Sequence, residues 1–461
     1  MTVRNWIKKI FSVVFVFLVF FAIYYVNQAL PILSGYGAKN LCSCVMLGNR
    51  APDHVLANEL GTFPLSLGKF EVNWQDSSAS GSVFGLAKRK AIYRKGLGCT
   101  LISQIDEATL RNQKPNLAPR PQVDQDTVDW PMGNRMGKEQ PVIDEYALQQ
   151  LVDRAFEEPG AKPSRKTRAI LVVYNGVLVA EKYGQGFDEK SLQMGWSMTK
   201  SLTNAMVGNL VLKGKLKTSN RASIYEWRND ERKDIRLDDL MRMSSGLAWK
   251  EDYGGPSSAT NMLFKSAHMS VFAAQSKLRY KPGEYFYYSS GSTNIISRIV
   301  RQIYFDNDYY RLPYEDIFFK IGMHSLVIEP DAGGTFVGSS YAYATARDWA
   351  RFGLLYLNDG LWNGERIWPE GWVDYTTTPT KGAKRGEYGA QFWLNAGAPT
   401  DTTNRMYPDV PADLFWADGF EGQNVFILPS RKLVVVKLGQ TTGNALDDNA
   451  FLRDLIALLP R

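Results

Sequence analysis

Histidine is nearly missing from this chain: its 461 residues include only His54, His268 and His324, with no H-x-x-x-H pair. A Ser-His-Asp hydrolase or a His-ligated zinc enzyme would have to be built on one of those three, so the base of any hydrolytic chemistry is sought elsewhere. Cysteine is as scarce. Cys42, Cys44 and Cys99 all lie in the first hundred residues, so nothing after them offers thiol chemistry. A Cys-x-Cys with no second Cys or His pair is a poor metal site, and no metal is expected. A disulfide between Cys99 and either Cys42 or Cys44 fits an oxidising compartment, with Cys42–Cys99 taken as the candidate. A strong charge excess is also lacking: 54 Lys and Arg against 47 Asp and Glu leave +7, spread among acids over most of the length. That is a solvated surface rather than a nucleic-acid footprint.

What is present is globular: 44% hydrophobic and 22% charged residues, in a length that accommodates a large core and two domains plus extras. Residues 1–9 carry Arg4, Lys8 and Lys9 and read as a cytoplasmic tail. Residues 10–26 are almost wholly apolar, with Ser12 the polar break and Tyr24 and Tyr25 at the far end. The run reaches the lower limit for spanning a bilayer, and the basic flank keeps the N-terminus inside. A single-pass anchor over 10–32 is therefore expected, with the bulk of the chain periplasmic or extracytoplasmic. A cleaved signal peptide is the alternative, although the apolar region is long for it and no good A-x-A site follows. Residues 33–140 read as an accessory region, with short strands near 70–72 and 91–93 and a Pro-, Asn- and Gly-rich linker or wrapping segment over 113–137.

From Val142 the patterns sharpen, and residues 141–461 read as one catalytic domain. A helix runs through Tyr146, Leu148, Leu151, Val152 and Phe156 and stops at Pro159-Gly160. Strands over 169–174 and 177–183 are joined by Asn175-Gly176, a pair suited to a two-residue hairpin. Ser197-Met198-Thr199-Lys200 follows, opening a helix in which Leu202, Ala205, Met206 and Leu210 recur at helical spacing until Gly214. Residues three apart share a helix face, which sets a hydroxyl beside a possible base. Spacing alone decides little, since Ser66-Leu67-Gly68-Lys69 has it too, in a segment without helical pattern. Ser197 as a simple N-cap is the competing reading.

Three further segments bear on the choice. Ile235-Arg236-Leu237-Asp238-Asp239-Leu240-Met241-Arg242-Met243-Ser244-Ser245-Gly246-Leu247 resembles a segment of the serine β-lactamase and penicillin-recognising family. Pro282-Gly283-Glu284-Tyr285-Phe286-Tyr287-Tyr288-Ser289-Ser290 is similar to the class C segment in which Pro-Gly leads to a Tyr-x-Asn motif. Ala417-Asp418-Gly419 stands where that family has Lys-Thr-Gly, with only the glycine matching. The helix around Tyr343 to Gly353 resembles a packing helix of the same family. The resemblance covers about residues 142–461 and is closest to the esterase and 6-aminohexanoate-dimer hydrolase branch. It implies an α/β (α+β) fold: a central antiparallel sheet flanked by helices, with a helical subdomain.

By this resemblance Ser197 attacks an ester or amide carbonyl, and Lys200 or Tyr288 takes its proton. Burial would lower the lysine pKa, because desolvation disfavours the ammonium. The backbone N–H groups of Ser197 and Phe420 are the implied oxyanion donors. No metal or organic cofactor is needed. Trp196, Trp249, Ser290, Asp418 and Gly419 are the expected pocket residues, with Tyr253, Phe286 and Trp393 as further aromatic lining. Ala417 and Asp418 in place of the family's lysine, and Ser290 in place of its asparagine, disfavour β-lactams and D-Ala-D-Ala peptides. Small esters or amides fit better. A penicillin-binding carboxypeptidase or β-lactamase, and a non-catalytic surface binding protein, are the alternatives.

Overall fold

The computed structural model describes residues 3–137, 141–160, 163–443 and 445–460, with the side chains of 3–5, 7–9 and 22 left out. Arg4, Lys8 and Lys9 thus lie outside the described side chains. The chain forms two compact units: Met1–Arg111 with Lys250–Ala267, and Asn112–Trp249 with His268–Arg461.

The first unit is built on one helix, α1 (Val3–Cys42), which runs unbroken through Pro31. Its large apolar side chains from Ile10 to Val26 are exposed wherever described, whereas Leu30, Ile32, Ala38 and Leu41 are buried. The buried half lies on a four-stranded antiparallel sheet of β1 (Gly68–Asn73), β2 (Ser78–Val83), β3 (Leu86–Arg94) and β4 (Gly98–Leu101), in that order. The two strands expected near 70–72 and 91–93 are β1 and β3. Their partners, Ser- and Gly-rich β2 and the four-residue β4, lack the alternation that announces a strand. A disulfide joins Cys42 to Cys99, tying the end of α1 to β4, and Cys44 is buried outside it. Ser66 sits in a short 3-10 turn and Lys69 on β1, paired with Glu71 at 2.6 Å. This second Ser-x-x-Lys never shares a helix face.

The second unit centres on a six-stranded antiparallel sheet. Its first helix, α2 (Glu145–Arg154), is capped by Asp144, whose carboxylate accepts the Ala147 N–H at 2.9 Å. Strands β5 (Thr167–Tyr174) and β6 (Val177–Tyr183) form the expected hairpin, with Asn175 and Gly176 at φ 51° and 81°. Later come β7 (Trp393–Leu394), β8 (Phe415–Gly419), β9 (Gln423–Leu428) and β10 (Leu433–Gly439), giving the order β7-β8-β9-β10-β5-β6. One sheet face, with Ile170, Val172, Trp416, Phe426 and Val435, packs α2 and the C-terminal helix over Asp448–Leu458. On the other, Val425 and Val434 press so closely on Gly353 that a Cβ there would sit 2.5 Å from Val434.

Gly353 belongs to a helix over Ala346–Leu357, which holds a buried ion pair between Arg351 and Asp348 at 2.6 Å. Arg351 also donates to the carbonyls of Pro131 (2.7 Å) and Gly133 (2.6 Å) and to Asn134 Oδ1 (2.9 Å). The Pro-rich segment is thus fastened along the second unit. Gln125 adds a bond to the Gly322 carbonyl at 2.7 Å, and Arg120 one to Leu326 at 2.9 Å.

Candidate active site

The helix after Ser197, α3 (Thr199–Leu212), is buried on nearly every side. Each of its polar side chains therefore needs a partner, and each finds a loop. Ser201 Oγ donates to the Gln391 carbonyl (2.9 Å), Thr203 Oγ1 to Gly338 (3.0 Å), Asn204 Nδ2 to Ala390 (2.8 Å) and Asn209 Nδ2 to Ile367 (2.9 Å). The helix ends at Gly214, φ 65°, where the Lys215 N–H reaches back to the Leu210 carbonyl.

Ser197 lies in a 3-10 turn, Trp196–Met198, that leads into α3, and no side chain caps the helix. Its Oγ is instead held by Lys200, whose Nζ donates to it at 2.9 Å. Lys200, 1% exposed, also donates to Ser290 Oγ at 3.1 Å and to the Ser339 carbonyl at 3.0 Å. Its Nζ stands 4.7 Å from the centre of the Tyr288 ring. That ring is wedged between Tyr388 (5.7 Å, edge-on) and Trp393 (5.4 Å). Tyr288 precedes α4 (Ser290–Tyr309), which Ser289 caps by accepting the Ser292 N–H at 3.1 Å. The Met243-Ser244 segment backs this turn: its carbonyls accept the N–H groups of Tyr287 and Gly283, both at 2.8 Å.

The third motif closes the other side. A Cβ on Gly419 would fall 2.2 Å from the Gly195 carbonyl, so only glycine lets the end of β8 meet the turn before Ser197. The Phe420 ring packs edge-on against Trp196, 5.7 Å between centres. Trp196 itself is held at φ 46°, an unfavourable conformation for a bulky residue and one that marks the position before Ser197 as strained. Gly419→Ala is expected to lower turnover at least tenfold by parting β8 from this turn, read as kcat on a nitrophenyl ester. Unchanged kcat would show that the close approach is unimportant.

Of the other expected pocket residues, Asp418 falls elsewhere. Strand alternation turns Asp418 to the opposite sheet face from Ala417, beside its cross-strand neighbours Asn424 and Lys437. Asn424 Nδ2 donates to it at 2.8 Å, and burial pushes its pKa up to about 6 against the pull of Asn424 and Lys437. Asp418 is therefore not the carboxylate-repelling group expected at the site; Ala417 alone points the other way. Trp249 packs on Gly291 and Phe272 and lines a cavity of about 170 Å³ with Ser245, Tyr280, Tyr287 and Ser289. Tyr253 falls within the first unit. Phe286 packs at a tilt against Tyr388, 5.3 Å between ring centres, beside Tyr288. The Ser339 carbonyl was not foreseen, because no local pattern marks a backbone acceptor 139 positions from the lysine it holds.

A mixed sheet-and-helix fold with a Ser–Lys pair at the mouth of a buried helix defines a serine hydrolase. Residues 152–458 match the Beta-lactamase family model, and the chain belongs to that family. A curated relative, 6-aminohexanoate-dimer hydrolase from Paenarthrobacter ureafaciens, is 24% identical over 301 residues, covering 59% of this chain and 72% of its own. Among solved structures, a penicillin-binding protein homologue from Caulobacter crescentus superposes with TM-score 0.53 at 15% identity, over 69% of this chain and 99% of that one. A family VIII carboxylesterase superposes with TM-score 0.51 at 15% identity, over 69% and 98%. These structural likenesses speak to the fold.

Proposed function

We propose that the protein is a membrane-anchored, extracytoplasmic serine hydrolase that cleaves small esters or amides through an acyl-enzyme on Ser197. The observation that carries this reading is the surroundings of Lys200 Nζ. A carbonyl can only accept, so one N–H is committed to Ser339, while the two hydroxyls can reverse their roles. A neutral amine can thus keep N–H bonds to Ser339 and Ser290 and turn its lone pair to the Ser197 hydroxyl. As Ser197 Oγ bonds to the carbonyl carbon, its proton passes to Lys200. Tyr288, its ring beside Lys200, relays a proton to the departing alcohol or amine, and water then releases the acid by the reverse route. Backbone N–H groups of Ser197 and Phe420 serve the oxyanion.

Ala417 offers only a methyl where a carboxylate-holding lysine would stand, and Ser290 is engaged with Lys200; both features favour substrates without a carboxylate beside the scissile bond. The 6-aminohexanoate-dimer hydrolase relative lends weight to the amide side of that class. The Cys42–Cys99 disulfide supports an oxidising compartment, and the unbroken passage of α1 from exposed apolar to buried residues supports an uncleaved anchor.

The test is a panel on the full chain in detergent: a fluorophosphonate probe, a short-chain nitrophenyl ester, a fluorescent penicillin and an aminohexanoate dimer. Labelling with turnover of ester or dimer, and intact penicillin, is the expected result. Rapid penicillin hydrolysis or stable penicillin acylation would identify a β-lactamase or carboxypeptidase instead. Neither labelling nor turnover would leave a binding protein.

A further inference from the structure

The first unit carries four large apolar side chains on its surface at one place: Phe63, Leu67, Phe84 and Leu86, 80%, 41%, 71% and 60% exposed. Single exposed apolar residues are ordinary, but a group of them is a contact surface. The sheet register brings them together. Gly68 pairs with Val83 and Val83 with Leu86, so Leu67, the β2–β3 hairpin tip and the lead-in from Phe63 all stand at the same end of the sheet. Trp74, also exposed, lies in the β1–β2 turn at the opposite end.

The rim lies on the side toward which α1 leaves the unit. Cys42 is bonded to Cys99, which pairs with Tyr93 far from the hairpin tip, whereas Ser34 Oγ donates to the Ala87 carbonyl at 2.6 Å, next to it. Passing back along α1 therefore leads toward the rim. From Ser34 to Val26, where the exposed apolar run ends, is about 12 Å of helix. From Ala87 one strand step reaches Leu86, level with Val83, and the Phe84–Gly85 turn adds about as much again, roughly 7 Å in all. The tip thus stops about one helix turn short of the apolar run, within the depth of an interfacial layer. The two are joined by continuous helix with no flexible linker, and Lys265 Nζ, bonded to Gln28 at 2.9 Å, fastens the unit at that height.

We propose that Phe63, Leu67, Phe84 and Leu86 seat the first unit in the interfacial layer of the bilayer that takes residues 10–26. Exposed Lys88, one step behind the rim, meets the lipid phosphates, with Lys69 at the same level beside its ion-pair partner Glu71. Apolar residues at the front and lysines behind are the order in which a membrane surface presents its acyl boundary and headgroups. The inference rests on α1 as an anchor, and the test separates the two.

The full chain is reconstituted in phosphatidylcholine vesicles containing phosphatidylglycerol, with a nitroxide on one added cysteine: Phe17→Cys, Leu67→Cys, Phe84→Cys or Trp74→Cys. Unsubstituted protein, with Cys44 buried, gives the background, and retained ester turnover in detergent confirms folding. Oxygen and nickel-chelate collision rates report depth. Labels at 17, 67 and 84 are expected to favour oxygen over the chelate several-fold more than the label at 74. A label at 84 matching 74 while 17 is in lipid overturns the seated rim and leaves the anchor. A label at 17 exposed to the chelate overturns the anchor and the rim with it.

Discussion

Ser197→Ala is expected to abolish ester and amide hydrolysis, with kcat falling roughly ten-thousand- to million-fold and fluorophosphonate labelling lost. Lys200→Ala should fall almost as far, because the serine hydroxyl then lacks its proton acceptor and the two losses belong to one unit rather than adding. Thermal unfolding separates chemistry from collapse. Ser197 is only partly buried and its hydroxyl holds nothing but Lys200 among its assigned bonds, so Ser197→Ala should melt close to the parent protein. Lys200→Ala empties a buried position with three acceptors and should melt lower. Turnover that persists in Ser197→Ala would place the nucleophile elsewhere and end the acyl-enzyme scheme.

The second large effect concerns stability. Arg351→Ala should cost about 3–5 kcal/mol in urea unfolding, since removing one partner strands the other charge in the interior. Both side chains are nearly inaccessible, 1% for Arg351 and 2% for Asp348. Three acceptors on residues 131–134 lose their donor at the same time, so proteolysis within the Pro-rich segment should quicken. A loss under about 1 kcal/mol would mean that Asp348 finds enough in Ser325, whose N–H (2.8 Å) and Oγ (2.6 Å) it accepts. The helix carrying this pair looked from sequence like packing alone; its arginine is also the clasp for a segment more than 200 positions upstream.

Local signals were read well wherever the physics is local. Asn175-Gly176 adopts left-handed conformations that suit a two-residue hairpin, so its strands were visible in the sequence. The amphipathic spacing of Tyr146, Leu148, Leu151 and Val152 likewise marked α2. Ser- and Gly-rich β2 and the four-residue β4 were missed because neighbours, not their own propensity, make them strands. The 250–267 segment carries no mark of its attachment to the first unit.

By itself the sequence determined the order and identity of the candidate groups: a serine and lysine one turn apart, a tyrosine after Pro-Gly, and a glycine ending a later strand. It also determined an apolar run long enough to cross a bilayer. Only the tertiary structure decided what those groups are placed against. It set Lys200 against Ser290 and Ser339, 90 and 139 positions away, and turned Asp418 to the far face of the sheet. The reason is range. Periodicity and turn chemistry act over a few residues and are written in them, whereas the partner of a buried amine and the side of a sheet exist only once distant segments pack.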